Sequence, residues 1–251
     1  MSVVRDNRGV SVQISRGEDR FAERERGRST RHAFSFGPHY DPARLGFGPM
    51  VCHDEHVLGR DLGFEEHPHA ALEIVTWVVS GRVSHRDSLG NEAVLEAGDC
   101  GVLSAGAGVR HSEFAVDGPA RFVQVWLTPE ADRVDEPPHY SLARAADLPA
   151  VRGAGSVAGS VVGSVAVVGE GGALSVAVPG ASYDVLRVDA LQSVTLPASA
   201  RVHAFVASGA LLRSSLAEPL QAGDAFLLTD EPAHEVTGAV PTELLVWSFA
   251  G

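Results

Sequence analysis

The 251-residue chain is long enough to bury one large core or two ordinary ones, and its 27 glycines and 14 prolines suit short strands joined by turns. Its 32 acidic residues against 20 basic ones give a formal charge of −12, which repels phosphate backbones and argues against direct nucleic-acid binding. Every basic residue is arginine, so Schiff-base lysine chemistry and a P-loop lysine are excluded.

In chain order, GVSVQIS (9–15) alternates and reads as an edge strand. The charged run RGEDRFAERERGRSTR reads as an exposed loop, interrupted by Gly27, Ser29 and Thr30, with its arginines solvated among Glu18, Asp19, Glu23 and Glu25. Residues 32–62 space Phe34, Phe36, Tyr40 and Phe47 between turn residues, as a segment packed along a β-domain would. There His32, His39, His53 and His56 read as hydrogen-bonded surface or loop histidines, one of which could line a cavity mouth. LEIVTWVVSG (72–81) is apolar and β-branched enough for a buried strand, Asp87, Gly90 and Asn91 mark a hairpin, and Gly98-Asp99 marks a second turn. PARFVQVWLTP is an alternating strand with Phe122, Gln124 and Trp126 on one face.

The pattern fails through EADRVDEPPHYSLARAADLP, where Pro137-Pro138 marks a connector or domain boundary. RGAGSVAGSVVGSVAVVGEGGALSVAV resembles a flexible linker in composition, but its valines predict strands at least in its second half. Strand and turn then repeat to the end. A weak internal repeat pairs VVSGRV (78–83) with VASGAL (206–211) and AGDCGVL (97–103) with AGDAFLL (222–228). The fold class is therefore all-β, with domains expected at 1–135 and 136–251. Cys52 and Cys100 read as buried free thiols. Charges in the first twenty residues and the lack of a long apolar run lead to the expectation of a soluble cytoplasmic protein with no membrane partner.

The chemistry concentrates in residues 63–113. His67 and His69 stand two apart, as do His111 and Glu113, and strand parity lets each pair aim at one point. Three imidazoles and a carboxylate suit iron(II), nickel, cobalt, copper or zinc better than calcium or magnesium. Glu73 also shares the parity of His69, so spacing leaves Glu73 and Glu113 open as the carboxylate ligand. No GxSxG elbow or phosphate-binding glycine spacing competes with this constellation. With the two SG turns superposed, His67 and His69 fall opposite Thr195 and Pro197, while His234 is the nearest counterpart of His111, so the second half reads as metal-free.

GFGPMVCHDEHVLGRDLGFEEHPHAALEIVTWVVSGRVSHRDSLGN, followed by AGDCGVLSAGAGVRHSEF and preceded by HAFSFGPHYDP, resembles the pirin family of the cupin superfamily. The resemblance covers about the first half of the chain and implies a bicupin of two facing β-barrel (jelly-roll) domains, with one metal, foremost Fe(II), in the first. It carries the ligand roles to His67, His69, His111 and Glu113 and leaves Glu73 beside the ligand set. Ala70 departs from the family, whose members commonly carry arginine or another large residue there. The implied activity is that of a quercetin 2,3-dioxygenase: a flavonol or other small aromatic substrate loses its 3-hydroxyl proton to Glu113 or another base. Its ring is then opened with O2 and carbon monoxide is released. The alternative implied by other family members is a non-enzymatic, metal-dependent regulator with protein partners. A monomer is expected in either case.

Overall fold

The computed structural model describes residues 2–5, 11–151 and 164–251. Among them the regular structure is strand, relieved only by short 3-10 turns at Gly17–Asp19 and Ala145–Asp147. Contacts divide the chain into two compact units. One comprises Arg20–Asp147 with Leu174–Pro179; the other comprises the described residues of Met1–Asp19, Leu148–Ala173 and Gly180–Gly251.

In the first unit, seven strands run in the order His139–Ala143, Cys100–Ser104, Glu73–Ser80, Ala120–Leu127, Met50–Leu58, Arg28–His32 and Phe21–Glu25. A second sheet of four runs Gly63–His69, Val109–Ala115, Arg82–Asp87 and Glu92–Glu96. Apolar side chains of the large sheet (Leu58, Val78, Phe122) meet those of the small one (Val83, Leu95, Ala115) in a common buried cluster. This is the usual outcome when two sheets each have one apolar face to hide.

In the second unit, the large sheet runs Ser2–Arg5, Ser11–Ser15, Ala225–Glu231, Ser199–Ser208, Thr242–Phe249, Ala181–Val188 and Val165–Val168. Its smaller pieces are two separate pairs, Ser193–Leu196 with His234–Thr237 and Ala210–Leu211 with Leu220–Gln221. The strands of the internal repeat occupy equivalent places: Glu73–Ser80 beside Cys100–Ser104 in one unit, Ser199–Ser208 beside Ala225–Glu231 in the other.

The all-β class holds, but the expected closed, facing barrels are corrected. Among the described residues, no strand of the seven-stranded sheet in the first unit pairs through its backbone with a strand of the four-stranded sheet, and both sheets end in open edges. Alternation in sequence reports which face of a strand is buried, a pattern that open sheets and barrels share. Closure depends on pairing between edge strands, which alternation does not encode. The Phe21–Glu25 edge is dressed with Glu23, Arg24 and Glu25, the charge pattern that discourages further pairing.

Three local expectations also change. Residues 21–32 form a hairpin rather than a loop, because Gly27 supplies a turn at φ +74° instead of merely interrupting the run. Within that run Arg20 is buried and its guanidinium donates to Glu55 at 3.0 Å. Ser11–Ser15 lies between two strands rather than at an edge. In the valine-rich piece, residues 152–163 fall outside the described residues, and the second half contains the Val165–Val168 strand. Cys52 and Cys100 are free and buried.

Candidate metal centre

The site is built where the Gly63–His69 and Val109–Ala115 strands pair antiparallel, with His67 directly opposite His111 and His69 opposite Val109. The register then shifts: Glu113 faces Phe64, so the His111-to-Glu113 step spans one residue fewer than the opposing His67-to-Phe64 step. This bulge re-aims the side chains that follow it. Close approach of the strands requires Gly63, since a Cβ there would lie 2.0 Å from the Glu113 carbonyl oxygen.

Three imidazoles converge. Ring centroids are 4.9 Å apart for His67 and His69, 4.5 Å for His67 and His111, and 5.0 Å for His69 and His111. One potential ligand nitrogen from each of the three lies within 4.8 Å of the others. Glu113 belongs to an overlapping cluster with His85 and His111, again within 4.8 Å, so His111 is common to both. His67 Nδ1–H donates to the Glu65 carbonyl at 2.7 Å, which leaves Nε2 as its ligand atom. His69 Nε2 and both ring nitrogens of His111 are buried without hydrogen-bond partners. Buried polar atoms are rarely left so, and a cation at their convergence would satisfy them. The donor set therefore fits a divalent transition metal.

The electrostatics favour ligand-ready forms. Burial, with His111 and His67 adjacent, pushes the His69 imidazole down to about 4, and burial likewise lowers His111. Burial would by itself raise Glu113, but His111, the Gln124 amide and His85 outweigh it and hold the carboxyl below its ordinary range. Neutral imidazoles and an ionised carboxylate are the species a metal binds.

Several supporting residues were not assigned from sequence. The Gln124 amide donates to both Glu113 oxygens at 3.1 and 2.9 Å and accepts from Trp126 Nε1 at 2.9 Å. The Thr76 hydroxyl reaches Glu113 at 3.4 Å. His85 stacks on Tyr140 with centroids 3.9 Å apart, and its Nε2 meets Asp87 at 3.0 Å. The parity of SHRD could have found His85 and Asp87, two apart on one strand, whereas Asp87 had been read as a turn residue alone.

Glu73 joins neither cluster. It accepts from the Ser104 hydroxyl at 2.7 Å and lines a separate cavity of about 320 Å³ with Arg133 and His139. Parity fails because the strand carrying His69 ends there and Ala71 turns the chain at φ +54° before Glu73 begins a strand of the other sheet. Ala70 is exposed and borders a shallow depression with His69, Ser88 and Arg110.

A cavity of about 400 Å³ opens beside the histidine cluster, with His67 and Glu113 in its wall. Phe36, Phe64 and Trp126 give it aromatic surface, and Thr30, His32, His56 and Gln124 give it polar points. His32, His53 and His56, read as surface or loop histidines, are instead buried on strands.

The Pirin family profile matches residues 10–127. A Mycobacterium bovis protein named putative quercetin 2,3-dioxygenase is 34% identical over 242 residues, 96% of each chain. The Escherichia coli quercetin 2,3-dioxygenase is 38% identical over 115 residues, 45% of this chain and 49% of that protein. Among solved structures, the E. coli protein YhhW superposes with a TM-score of 0.81 at 25% identity over 95% of this chain and 97% of that one. The nickel(II) complex of the same bacterial pirin gives 0.80 at 24%, covering 95% and 99%. With a full-length relative at this identity, the chain belongs to the pirin family of the cupin superfamily.

Proposed function

We propose that this protein is a metal-dependent dioxygenase that opens flavonols such as quercetin, or related small phenolics, with O2. The observation that carries the reading is the cavity of about 400 Å³ that has His67 and Glu113 in its wall and aromatic side chains around them. Its volume lies in the range of small-molecule sites. The names of the M. bovis and E. coli relatives point to the same chemistry.

In this reading His67, His69, His111 and Glu113 hold one Fe(II), which when bound supplies Lewis-acid and redox chemistry. Gln124 fixes Glu113 by donating to both of its oxygens, so the carboxylate is presented in one orientation. Phe36 and Trp126, edge to face with centroids 5.5 Å apart, offer flat apolar surfaces that align a ring system. Phe64, capped by the Arg28 guanidinium at 4.5 Å, closes another part of the wall and sheds water from the bound ring. The carbon bearing the 3-hydroxyl departs as carbon monoxide, and both atoms of O2 enter the opened product. The chemistry belongs to the unit built on residues 20–147, while the other unit retains the large sheet without the histidine pair.

The test is metal content together with aerobic quercetin turnover on one metal-defined preparation, beside His69→Ala. About one transition metal per chain, with O2 uptake and carbon monoxide release lost in the variant, supports the reading. Metal retention without O2-dependent quercetin loss refutes quercetin as substrate and favours a metal-dependent regulator.

A further inference from the structure

The wall of the cavity carries a second polar constellation besides His67 and Glu113. His32 Nδ1 lies 2.7 Å from an Asp54 carboxylate oxygen. The residue is only 2% exposed, and its other ring nitrogen, Nε2, is buried without a hydrogen-bond partner, with a Glu23 oxygen 3.8 Å away. Phe36 stacks on the imidazole at 5.1 Å and 14°, so the ring is fixed on its face as well as at Nδ1. Both His32 and Asp54 line the cavity that contains His67 and Glu113.

A carboxylate acceptor at Nδ1 places the ring proton there and leaves the Nε2 lone pair open. An oriented imidazole with a carboxylate behind it is the arrangement of a general base. By contrast, both oxygens of Glu113 already accept hydrogen bonds from Gln124.

We propose that His32, oriented by Asp54, is the base that takes the proton from the substrate hydroxyl in this cavity; the inference rests on the phenolic-substrate reading above. The O–H bond breaks, its electron pair stays on the substrate oxygen, and an N–H bond forms at Nε2. The imidazolium is held by Asp54. After ring opening the same proton passes to the product carboxylate, which returns His32 to its neutral form.

The surroundings suit the task. Burial works to lower the His32 imidazole, but the hydrogen bond and charge of Asp54, with Glu23, hold it above its ordinary value against Arg20. His39, at 5.9 Å between centroids, also faces the ring, and His56 and Arg28 share the cavity wall. The neutral, proton-accepting form is thus lost as pH falls through the raised value.

The experiment compares metal-loaded wild type, His32→Gln and Asp54→Asn in two measurements: quercetin turnover across pH, and anaerobic quercetin binding read by the absorbance of the flavonol anion. For His32→Gln we expect unchanged metal content, a kcat about 100-fold lower near neutral pH, and no anion band there. Its rate should recover about tenfold per pH unit as quercetin ionises in solution. Asp54→Asn should shift the acid limb of the wild-type profile downward in pH. A His32→Gln enzyme within about twofold of wild type, with the same pH profile, overturns the base assignment while leaving the dioxygenase reading intact. If His32→Gln does not fold, an unmoved acid limb in Asp54→Asn overturns it instead. A wild type that binds metal yet neither turns over quercetin nor shows the anion band overturns the functional reading, and the base falls with it.

Discussion

Replacing Gln124 with leucine tests whether Glu113 is a ligand. The residue is 5% exposed, and leucine matches its volume closely enough that packing changes little. What changes is bonding: Glu113 loses both hydrogen bonds from the amide, at 3.1 and 2.9 Å, and Trp126 Nε1 loses its acceptor at 2.9 Å. Only the longer Thr76 contact at 3.4 Å remains on the carboxylate. Hydrogen bonds to a charged group contribute about 1.5–3 kcal/mol each, but these share one donor group and do not add, so the metal-free protein should lose ~3 kcal/mol.

Metal affinity is the more informative readout. A residue that orients a ligand typically costs about 10–100-fold in affinity when removed, and chelator competition at fixed pH resolves that range. Gln124→Leu should therefore lower both denaturant stability of the metal-free form and metal affinity. Loss of stability with wild-type metal affinity would refute Glu113 as a ligand and leave it as a buried structural carboxylate.

His111→Ala removes the residue common to both clusters, so metal content should fall from about one per chain to near zero, while a leucine at Glu113 should leave the three histidines and weaker, measurable binding. Glu73→Gln should leave metal content unchanged and turnover within about twofold, because Glu73 lines the other cavity; metal loss on elemental analysis would restore it as a ligand. Burial pushes His56 down to about 4 in the folded protein. Between the unfolded value near 6.5 and that value only the unfolded chain takes the proton, so stability of the metal-free form falls with pH across this window. The contribution of His56 is about 3 kcal/mol, and His56→Gln should flatten the decline in denaturant midpoints measured from pH 7 to pH 4.

Much of the site was legible because a strand of period two turns spacing into geometry: His67, His69 and His111 converge as HPH and the RHSEF strand require. Parity misled where the chain left the strand, as Ala71 at φ +54° separated Glu73 from the face of His69. The His32–Asp54 pair was invisible for a different reason. The two residues lie on neighbouring strands in direct register, and the hairpin that brings His32 there looked like a charged loop. Gln124 was placed on the right face of its strand, but its bond to Glu113 crosses between sheets and has no local signature. Barrel closure failed on the same ground, since edge pairing is the least local property of a sheet.

The second unit shows how separable the histidine pair is from the fold. Its Ser193–Leu196 and His234–Thr237 strands pair as Gly63–His69 and Val109–Ala115 do in the first unit, but Thr195 faces Glu235 and Leu196 faces His234. His234 meets Glu231 at 2.8 Å, a local partner of the kind that His69 and His111 lack. The five strands from Ala225–Glu231 to Val165–Val168 thus repeat the order of their counterparts in the first unit without a facing histidine pair among the described residues, their core filled by side chains such as Phe226, Val246 and Leu228. It follows that the His67, His69 and His111 cluster contributes little to folding, and its unpartnered nitrogens contribute unfavourably in the absence of metal. The double variant His67→Ala, His69→Ala should fold, bind no metal, and unfold in chelator within ~1 kcal/mol of metal-free wild type. With metal present the wild type alone should gain stability, rising with free metal concentration as binding to the folded state demands. A double variant that fails to fold in chelator would refute the separation and make the histidine cluster part of the core.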